Sequence, residues 1–287
     1  MRFTKMQGVG NDFVVIDAAA FPKDGDLAAL ALHVCERRFG IGADGLLVVG
    51  QSDSETVPVT MRMFNPDGSE DMCGNGLRCV GLWAFARGWT AGEREFQVAT
   101  KEGVRDVRVV VSDAEARHGQ LTVDMGQPHF KTEAIPFCGP TGVPVQDYPL
   151  NVDGKIFSIN SVNTGSTHTV IFGDPPSEAD FLHYSPLIEE HPLFPERTSV
   201  LWAVPNGDCA MEVRIWERGA GETLGCGTGA CAVAVAAKRQ RVVPMDSEAI
   251  EIRSKGGVLR IAWAGEDAAI AMTGPADVVY EGEITID

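Results

Sequence analysis

Short runs in which hydrophobic and polar residues alternate recur along the whole chain, and glycines are spread between them. Alternation with a period of two is typical of β-strands that bury one face, and scattered glycines favour tight turns over a long linker. Examples of these runs lie at residues 13–16, 46–49, 57–64, 104–111, 121–125, 169–172, 211–216 and 261–272. The pattern therefore predicts many short strands.

Three segments carry helical signals instead. They span residues 27–39, which Asp26 can cap, residues 76–87 and residues 229–239. The second and third are apolar on nearly every face, so we expect each of them to be buried inside its own sheet. Because strands outnumber helices and the two do not alternate regularly, the predicted fold class is α+β rather than a doubly wound parallel sheet.

The entrances of these two apolar helices resemble each other. Residues 64–76 and residues 216–229 each contain an aromatic strand end, a turn of glycine and acidic residues, and then C-G-x-G at the start of a helix. The two copies lie about half a chain apart. Such a repeat predicts two similar domains that face each other across a cleft.

Composition narrows the class of partner. Lys and Arg total 24 against 40 Asp and Glu, so the formal net charge is −16. Contact with nucleic acid or an anionic membrane needs a basic excess, and neither partner is therefore expected. No apolar stretch reaches the roughly 18–20 residues of a membrane span. Seven cysteines without C-x-x-C spacing argue against a disulfide framework or a zinc ribbon, and we expect a reduced, cytoplasmic protein.

Two of the cysteines, Cys73 and Cys226, stand where the predicted central helices begin. A helix N-terminus lowers the pKa of a thiol and binds carboxylates through unpaired backbone N–H groups. The amides available at the two helix starts belong to Gly74, Asn75, Gly227 and Thr228. This pairing suits removal of a proton from a carbon next to a carboxylate on one face and its return on the other, with one thiolate as base and one thiol as acid. No pyridoxal cofactor is then required.

The alternative for each cysteine alone is a small hydrophobic residue at a helix start, since unreactive cysteine is commonly buried. The matched pair weighs against that interpretation.

The G-x-G-x-x-G match at residues 40–45 follows a predicted helix and precedes a strand, the reverse of the order in a dinucleotide site. Five of the six histidines are scattered, without a His-x-x-x-His pair, and a metal site is not expected.

At these residues the sequence resembles the diaminopimelate epimerase family, whose members need no cofactor. The likeness runs along the whole chain. The segments that carry it are residues 5–13 (KMQGVGNDF), 40–45 (GIGADG), 65–70 (NPDGSE), 72–76 (MCGNG), 194–197 (FPER), 217–223 (ERGAGET) and 226–229 (CGTG).

The resemblance implies two pseudosymmetric domains, each a strongly curved, mainly antiparallel sheet wrapped around a central helix, with the catalytic cleft between them. The expected domains are residues 1–124 with 273–287, and residues 125–272, because the family's last strand returns to the first sheet.

The implied catalytic residues are Cys73 and Cys226, with the amides of Gly74, Asn75, Gly227 and Thr228 on the reacting carboxylate. Glu217 and His168 are implied near the amino group, and Asn11, Asn65 and Arg218 at the distal end of a small amino-acid substrate. A homodimer is also implied.

The chain departs from the common family pattern at three places that bear on the substrate. Ser166 and Ser199 replace asparagines of the family's distal site, and Gly45 stands where some members have glutamine. Serine can still donate and accept a hydrogen bond, so we expect diaminopimelate to remain the substrate. The alternatives are a cofactor-independent racemase of another amino acid, of histidine or proline type, and a cysteine-independent member similar to the phenazine-biosynthesis isomerases.

Overall fold

The structure is a computed structural model that describes residues 1–22 and 24–285. The chain divides into two compact units: unit 1 is Met1–Asp124 with Thr273–Asp287, and unit 2 is Met125–Met272. The helices are α1 (Leu27–Cys35), α2 (Gly74–Ala86), α3 (Glu178–Glu189) and α4 (Gly227–Arg239). Within the described residues, no helix is both long enough and apolar enough to cross a membrane.

Strands make up most of the regular structure. In chain order they are β1 (Arg2–Gly8), β2 (Asn11–Asp17), β3 (Gly45–Gln51), β4 (Val59–Phe64), β5 (Glu70–Asp71), β6 (Glu95–Thr100), β7 (Gly103–Ser112), β8 (His118–Asp124), β9 (Tyr148–Val152), β10 (Lys155–Asn163), β11 (Thr167–Phe172), β12 (Ser199–Pro205), β13 (Ala210–Glu217), β14 (Gly221–Thr223), β15 (Ile250–Ser254), β16 (Gly257–Ala262) and β17 (Ala271–Glu283).

The two units repeat one pattern of strand pairing. In unit 1, β1 pairs antiparallel with β2, β2 parallel with β3, β3 antiparallel with β4, and β4 both antiparallel with β5 and parallel with β6. In unit 2 the same five relations join β10, β11, β12, β13, β14 and β15 in that order. Each unit then adds an antiparallel partner, β7 on β6 and β16 on β15. The sheet-dominated α+β prediction is confirmed.

Each unit is built around one apolar helix. In unit 1, α2 contacts β1, β2, β3, β4, β7 and β8, and its first eleven residues are all buried. In unit 2, α4 contacts β10, β11, β12, β15 and β16 and is equally enclosed. Burial on every side explains why neither helix shows a polar face in the sequence, and the prediction that both are internal is confirmed.

Two predicted elements differ most from the structure, and both differences have a local cause. The helix predicted over residues 27–39 ends at Cys35, because the Glu36 carboxylate accepts from the backbone N–H groups of Arg38 and Phe39 and turns the chain. The strand predicted over residues 261–272 is interrupted. Between β16 and β17 the chain turns, with the Ala268 amide donating to the carbonyl of Gly265 at 2.9 Å.

Helix α3, which was not predicted from the sequence, lies between β11 and β12 as α1 lies between β2 and β3. Its N-cap, Ser177, accepts from the amide of Asp180, and the buried positions Phe181, Ser185 and Ile188 recur at helical spacing. Pro186 inside the helix obscures the signal. The repeat of the two halves could have predicted this helix from α1.

Candidate active site

The two thiols occupy equivalent backbone positions in their units. Cys73 is the N-cap of α2, with φ −134° and ψ 120°, and Cys226 is the N-cap of α4, with φ −130° and ψ 117°. Each carbonyl accepts the first helical hydrogen bond, from Leu77 at 2.8 Å and from Ala230 at 2.9 Å. An N-cap side chain lies beside the unpaired N–H groups of the first helical turn, so both thiols stand at the positive end of a helix dipole.

The first thiol site comprises Cys73, Gly74, Asn75 and Asn11. The Cys73 thiol donates to Oδ1 of Asn11 at an S···O distance of 3.6 Å, and Nδ2 of Asn75 donates to the same oxygen at 3.3 Å. Asn11 lies at the start of β2 and Asn75 in the first turn of α2. A neutral amide oxygen is therefore one of the polar groups on this thiol.

Charged residues stand behind Asn11. Its Nδ2 donates to the Asp44 carboxylate at 2.8 Å, and Arg37 joins Asp44 to Asp12 with distances of 2.6 and 2.9 Å. Burial raises the pKa of Asp12, but hydrogen bonds from Arg37 and Lys5 outweigh it and hold the pKa at about 2. Ionised side chains thus support the amide that faces the thiol.

The second thiol site comprises Cys226, Gly227, Thr228 and Glu217. The Cys226 sulfur lies 3.4 Å from the Thr228 hydroxyl and accepts from the Gly229 amide at 3.4 Å. The Glu217 carboxylate also acts electrostatically on this thiol. Burial, and then the charge of Glu217, raises the pKa of Cys226 well above its ordinary value, so the expectation that a helix end lowers it is wrong for this thiol.

Hydrogen bonds hold Glu217 and the next residue, Arg218, in place. The Thr223 hydroxyl, on β14, donates to the Glu217 carboxylate. The Arg218 amide donates to the Ser199 hydroxyl at 3.1 Å, and the Arg218 guanidinium donates to the carbonyl of Glu196 at 3.1 Å. These contacts place the sequence-predicted residues Ser199, Glu217 and Arg218 together on adjoining strand ends.

A buried carboxylate fixes the turn that follows β13. Glu189, at the end of α3, accepts from Nε1 of Trp216 at 2.7 Å and from the amide of Gly219 at 2.8 Å. Arg197 donates to it at 3.3 Å. Gly219 has a φ of 78°, a conformation that favours glycine. The hydrogen bond from its amide to Glu189 stabilises this conformation.

His168 is a buried, uncharged histidine beside Ser199. The two residues are register partners in the parallel pair of β11 and β12. Nε2 of His168 lies 3.0 Å from the Ser166 hydroxyl, and Nδ1 has no hydrogen-bond partner among the described residues. Burial, and then the charge of Arg218, lowers the pKa of His168 to about 3. His168 is neutral over the physiological range.

Two residues singled out by the resemblance lie in different surroundings. Asn65 follows β4 in a turn, where its Nδ2 donates to the Ser69 hydroxyl at 3.0 Å and its backbone amide to the Ser69 carbonyl at 2.8 Å. Gly45 opens β3, and a Cβ atom there would lie 2.8 Å from Cε of Met63 and 3.2 Å from the carbonyl of Phe64. A longer side chain at position 45 therefore requires Met63 to move.

Three residues that support the thiol sites were not identified from the sequence: Asp44, Arg78 and Thr223. Arg78 is fully buried in α2 and donates to Oδ1 of Asn75 at 2.8 Å. One signal was available, because a single arginine in an otherwise apolar helix must find an internal acceptor. Asp44 and Thr223 lie inside the segments that carry the family resemblance, but their partners are distant in sequence.

Burial raises the pKa of the two cysteines that lie inside helices of unit 1, Cys35 to about 11 and Cys79 to about 12. Both are therefore protonated packing residues. Over residues 1–22 and 24–285, no group of three or more His, Cys, Asp or Glu side chains is arranged to hold a metal ion.

The chain is similar in sequence and in fold to known proteins. A model of the family described as diaminopimelate epimerase matches residues 3–131 and 160–279. The chain is 43% identical over 288 residues to a diaminopimelate epimerase of Moorella thermoacetica, with 100% of both chains covered. It is 41% identical to one of Desulforudis audaxviator, with 99% of both covered. A probable proline racemase from Agrobacterium radiobacter, solved with bound carbonate, shares the fold with a TM-score of 0.70 at 13% identity, over 100% of this chain and 93% of that one.

Proposed function

The chain belongs to the diaminopimelate epimerase family, and we propose that it converts LL-diaminopimelate to meso-diaminopimelate by inverting one α-carbon, for lysine and peptidoglycan synthesis. The observation that carries the proposal is the matched pair of N-cap thiols, Cys73 on α2 and Cys226 on α4. Inversion needs a base for one face of the carbon and an acid for the other, and two equivalent thiols supply both.

Cys73 is the base in the direction from LL to meso. Its contact is the neutral oxygen of Asn11, whereas Cys226 faces the carboxylate of Glu217. Burial and the charge of this carboxylate hold the proton on Cys226, so Cys226 is the thiol that carries a proton at rest. Cys226 is then the resting acid, and the roles reverse in the opposite direction.

The bond changes balance without an oxidant or reductant. The Cα–H bond of the substrate breaks, its proton forms a new S–H bond on Cys73, and the electron pair delocalises into the α-carboxylate. The S–H bond of Cys226 breaks, and its proton forms the new Cα–H bond on the opposite face. Backbone N–H groups of Gly74, Asn75, Gly227 and Thr228 stabilise the charge that develops on the carboxylate.

Groups around Cys226 bind the amino group of the reacting carbon. The Glu217 carboxylate attracts an ammonium, and the neutral imidazole of His168 can accept from it, since the pKa of His168 is about 3.

The amide of Asn11 and the guanidinium of Arg218 bind the distal end with Asn65, Ser166 and Ser199. Since Ser166 already contacts His168, and Ser199 accepts from the Arg218 amide, these serines also hold neighbouring binding groups in place.

The protein acts as a cytoplasmic homodimer and uses no cofactor in this proposal. The family resemblance supports the dimer, and seven cysteines without a disulfide framework support a reducing compartment. Sedimentation velocity at several concentrations tests the dimer, and fractionation of cells expressing the tagged chain tests the location.

The function is tested by offering the purified protein LL-diaminopimelate, L-proline and L-histidine separately and resolving the products by chiral chromatography. Formation of meso-diaminopimelate alone is the expected result. Turnover of proline or histidine in preference to diaminopimelate would contradict the proposed substrate. Cys138→Ser is the matched control for variants of Cys73 and Cys226, because this exposed cysteine lies outside both thiol sites.

A further inference from the structure

The two asparagines at the first thiol site lie between ionic groups of opposite sign. On one side, Nδ2 of Asn11 donates to the Asp44 carboxylate at 2.8 Å. On the other side, Oδ1 of Asn75 accepts from the Arg78 guanidinium at 2.8 Å. Between them, Nδ2 of Asn75 donates to Oδ1 of Asn11, the oxygen that also accepts from Cys73.

This chain of hydrogen bonds has only one polarity. An amide side chain can turn over and exchange its oxygen with its NH₂ group, whereas a carboxylate can only accept and a guanidinium can only donate. Asp44 therefore requires the NH₂ end of Asn11, and Arg78 requires the oxygen of Asn75. Asp44 and Arg78 are thus the two anchors of this chain of hydrogen bonds. Each of them requires the same arrangement, in which an oxygen faces the thiol.

We propose that Asp44 is a positioning residue for the reaction: it fixes the orientation of the Asn11 amide so that an oxygen, not an NH₂ group, faces Cys73. An oxygen stabilises the S–H form of Cys73, whereas an NH₂ group in its place would stabilise the thiolate. Asp44 thereby raises the proton affinity of Cys73 in the free protein. The role rests on the proposed function of Cys73 as a base, but the orientation itself does not.

The anchors are themselves held firmly. The Asp44 carboxylate also accepts from the amide of Asp12 at 3.1 Å and from Arg37 at 2.6 Å, and its own amide donates to the carbonyl of Asp12 at 2.8 Å. Arg78 has no exposed surface and donates through Nε to the carbonyl of Pro275 at 3.1 Å. Neither anchor can turn without breaking two or more further bonds.

Other titratable and charged side chains of unit 1 lie along the chain from Cys73 or are linked to it through Asn11 and Asn75. They are Lys5, Asp12, Arg37, Asp44, Asp71 and Arg78, and Cys79 interacts electrostatically with Cys73. A test of the amide orientation must therefore separate it from a simple change of charge.

The test measures the rate at which iodoacetamide alkylates Cys73 in the free protein as a function of pH, by mass spectrometry of the Cys73 peptide. Asp44→Asn replaces the obligatory acceptor with an amide that can itself turn over, so only the 3.3 Å hydrogen bond from Nδ2 of Asn75 still selects the oxygen of Asn11. We expect the Asn11 amide to turn over in part of the molecules and the midpoint of the pH profile to fall, with about threefold faster alkylation near neutral pH. The maximal rate at high pH should be unchanged, because exposure of the thiol is the same.

A charge-matched control is the double variant Asn11→Asp/Asp44→Asn, which exchanges the two groups. Either oxygen of a carboxylate at position 11 then faces Cys73, so the midpoint should be at or above that of the unaltered protein. Asp44→Glu, which keeps the acceptor, should restore the midpoint toward that of the unaltered protein. The thermal unfolding midpoint of each variant establishes that it is folded.

Equal midpoints in Asp44→Asn and the unaltered protein would overturn the inference. So would equal downward shifts in Asp44→Asn and the double variant, because the change would then not depend on which group faces the thiol. Alkylation of the free protein needs no substrate. Failure of this inference is therefore distinguishable from failure of the proposed epimerisation, which the substrate panel tests.

Discussion

The two thiol sites share a backbone but differ in the group that faces the sulfur. Cys73 and Cys226 are N-caps with φ and ψ values within 4° of each other, at the start of helices enclosed in equivalent strands. Cys73 donates to the neutral amide of Asn11, and ionic residues lie one step further away. The charge of the Glu217 carboxylate acts on Cys226 and raises its pKa. The repeated fold supplies two equivalent positions, and the local side chains surround each thiol with different groups.

Replacing either thiol tests whether the sites are equal partners in the reaction. We expect Cys73→Ser and Cys226→Ser each to lower kcat for LL-diaminopimelate at least ~10³-fold, because a serine hydroxyl neither ionises readily nor returns a proton as a thiol does. The exposed Cys138→Ser and Cys209→Ser should keep full activity. A serine variant of only one of the two sites with normal kcat would break the comparison.

Glu217→Gln makes the second thiol site resemble the first, since a neutral amide then faces Cys226. Burial still raises the pKa of this thiol, but the contribution of the carboxylate is lost. We expect alkylation of Cys226 at pH 8 to become roughly tenfold faster, measured on its peptide. Glu212→Gln, on the same strand but exposed, is the matched control. An unchanged rate would show that Glu217 does not set the proton affinity of Cys226.

The ionic residues behind Asn11 should make unit 1 sensitive to acid. Because the folded pKa of Asp12 is about 2, below its unfolded value of about 3.9, its contribution to stability is present above pH 4 and is lost as the pH falls toward 2. We expect Asp12→Asn to lower the free energy of unfolding by about 1 kcal/mol at pH 7. Urea unfolding of both proteins at pH 7, 4 and 3 should show this difference shrinking below pH 4, and a constant difference would contradict it.

His168 should show no titration between pH 5 and 8, which is the smallest effect expected. Burial beside Arg218 lowers its pKa to about 3, so the ring is neutral throughout this range. The Cε1–H resonance of His168, assigned by its loss in His168→Gln, should keep a constant chemical shift from pH 5 to 8. The exposed His118 provides a reference within the same spectrum. A His168 midpoint between pH 6 and 7 would contradict the assignment of a neutral ring.

Much of this architecture could be predicted from the sequence because its signals are local. The two apolar helices are recognised by composition, and the thiols by the repeated C-G-x-G at the helix starts. The end of α1 was misjudged because the Glu36 carboxylate competes for the backbone, which hydrophobic periodicity does not reveal. Helix α3 was missed because Pro186 masks it.

The chemistry around the thiols was less predictable because it depends on contacts between distant segments. Asp44 contacts Asn11 across 33 residues, and burial is the largest cause of the raised pKa of Cys226. A dipole argument applies to any N-cap cysteine, whereas the sign of the pKa shift depends on which side chains the fold brings to the sulfur. The sequence therefore predicts the two thiols as the reacting groups, and the side chains around each of them are seen only in the folded chain.

The central claim is that two thiols share one inversion, and the most direct measurement is isotope incorporation during the first turnovers. The protein is incubated with LL-diaminopimelate in heavy water, and substrate and product are separated at low conversion and analysed by mass spectrometry. Two separate bases predict one deuterium at the inverted α-carbon of the meso product and none in the recovered LL substrate, because the proton taken by Cys73 returns to the face it left. Equal deuterium in recovered substrate and product would indicate a single base and contradict the account.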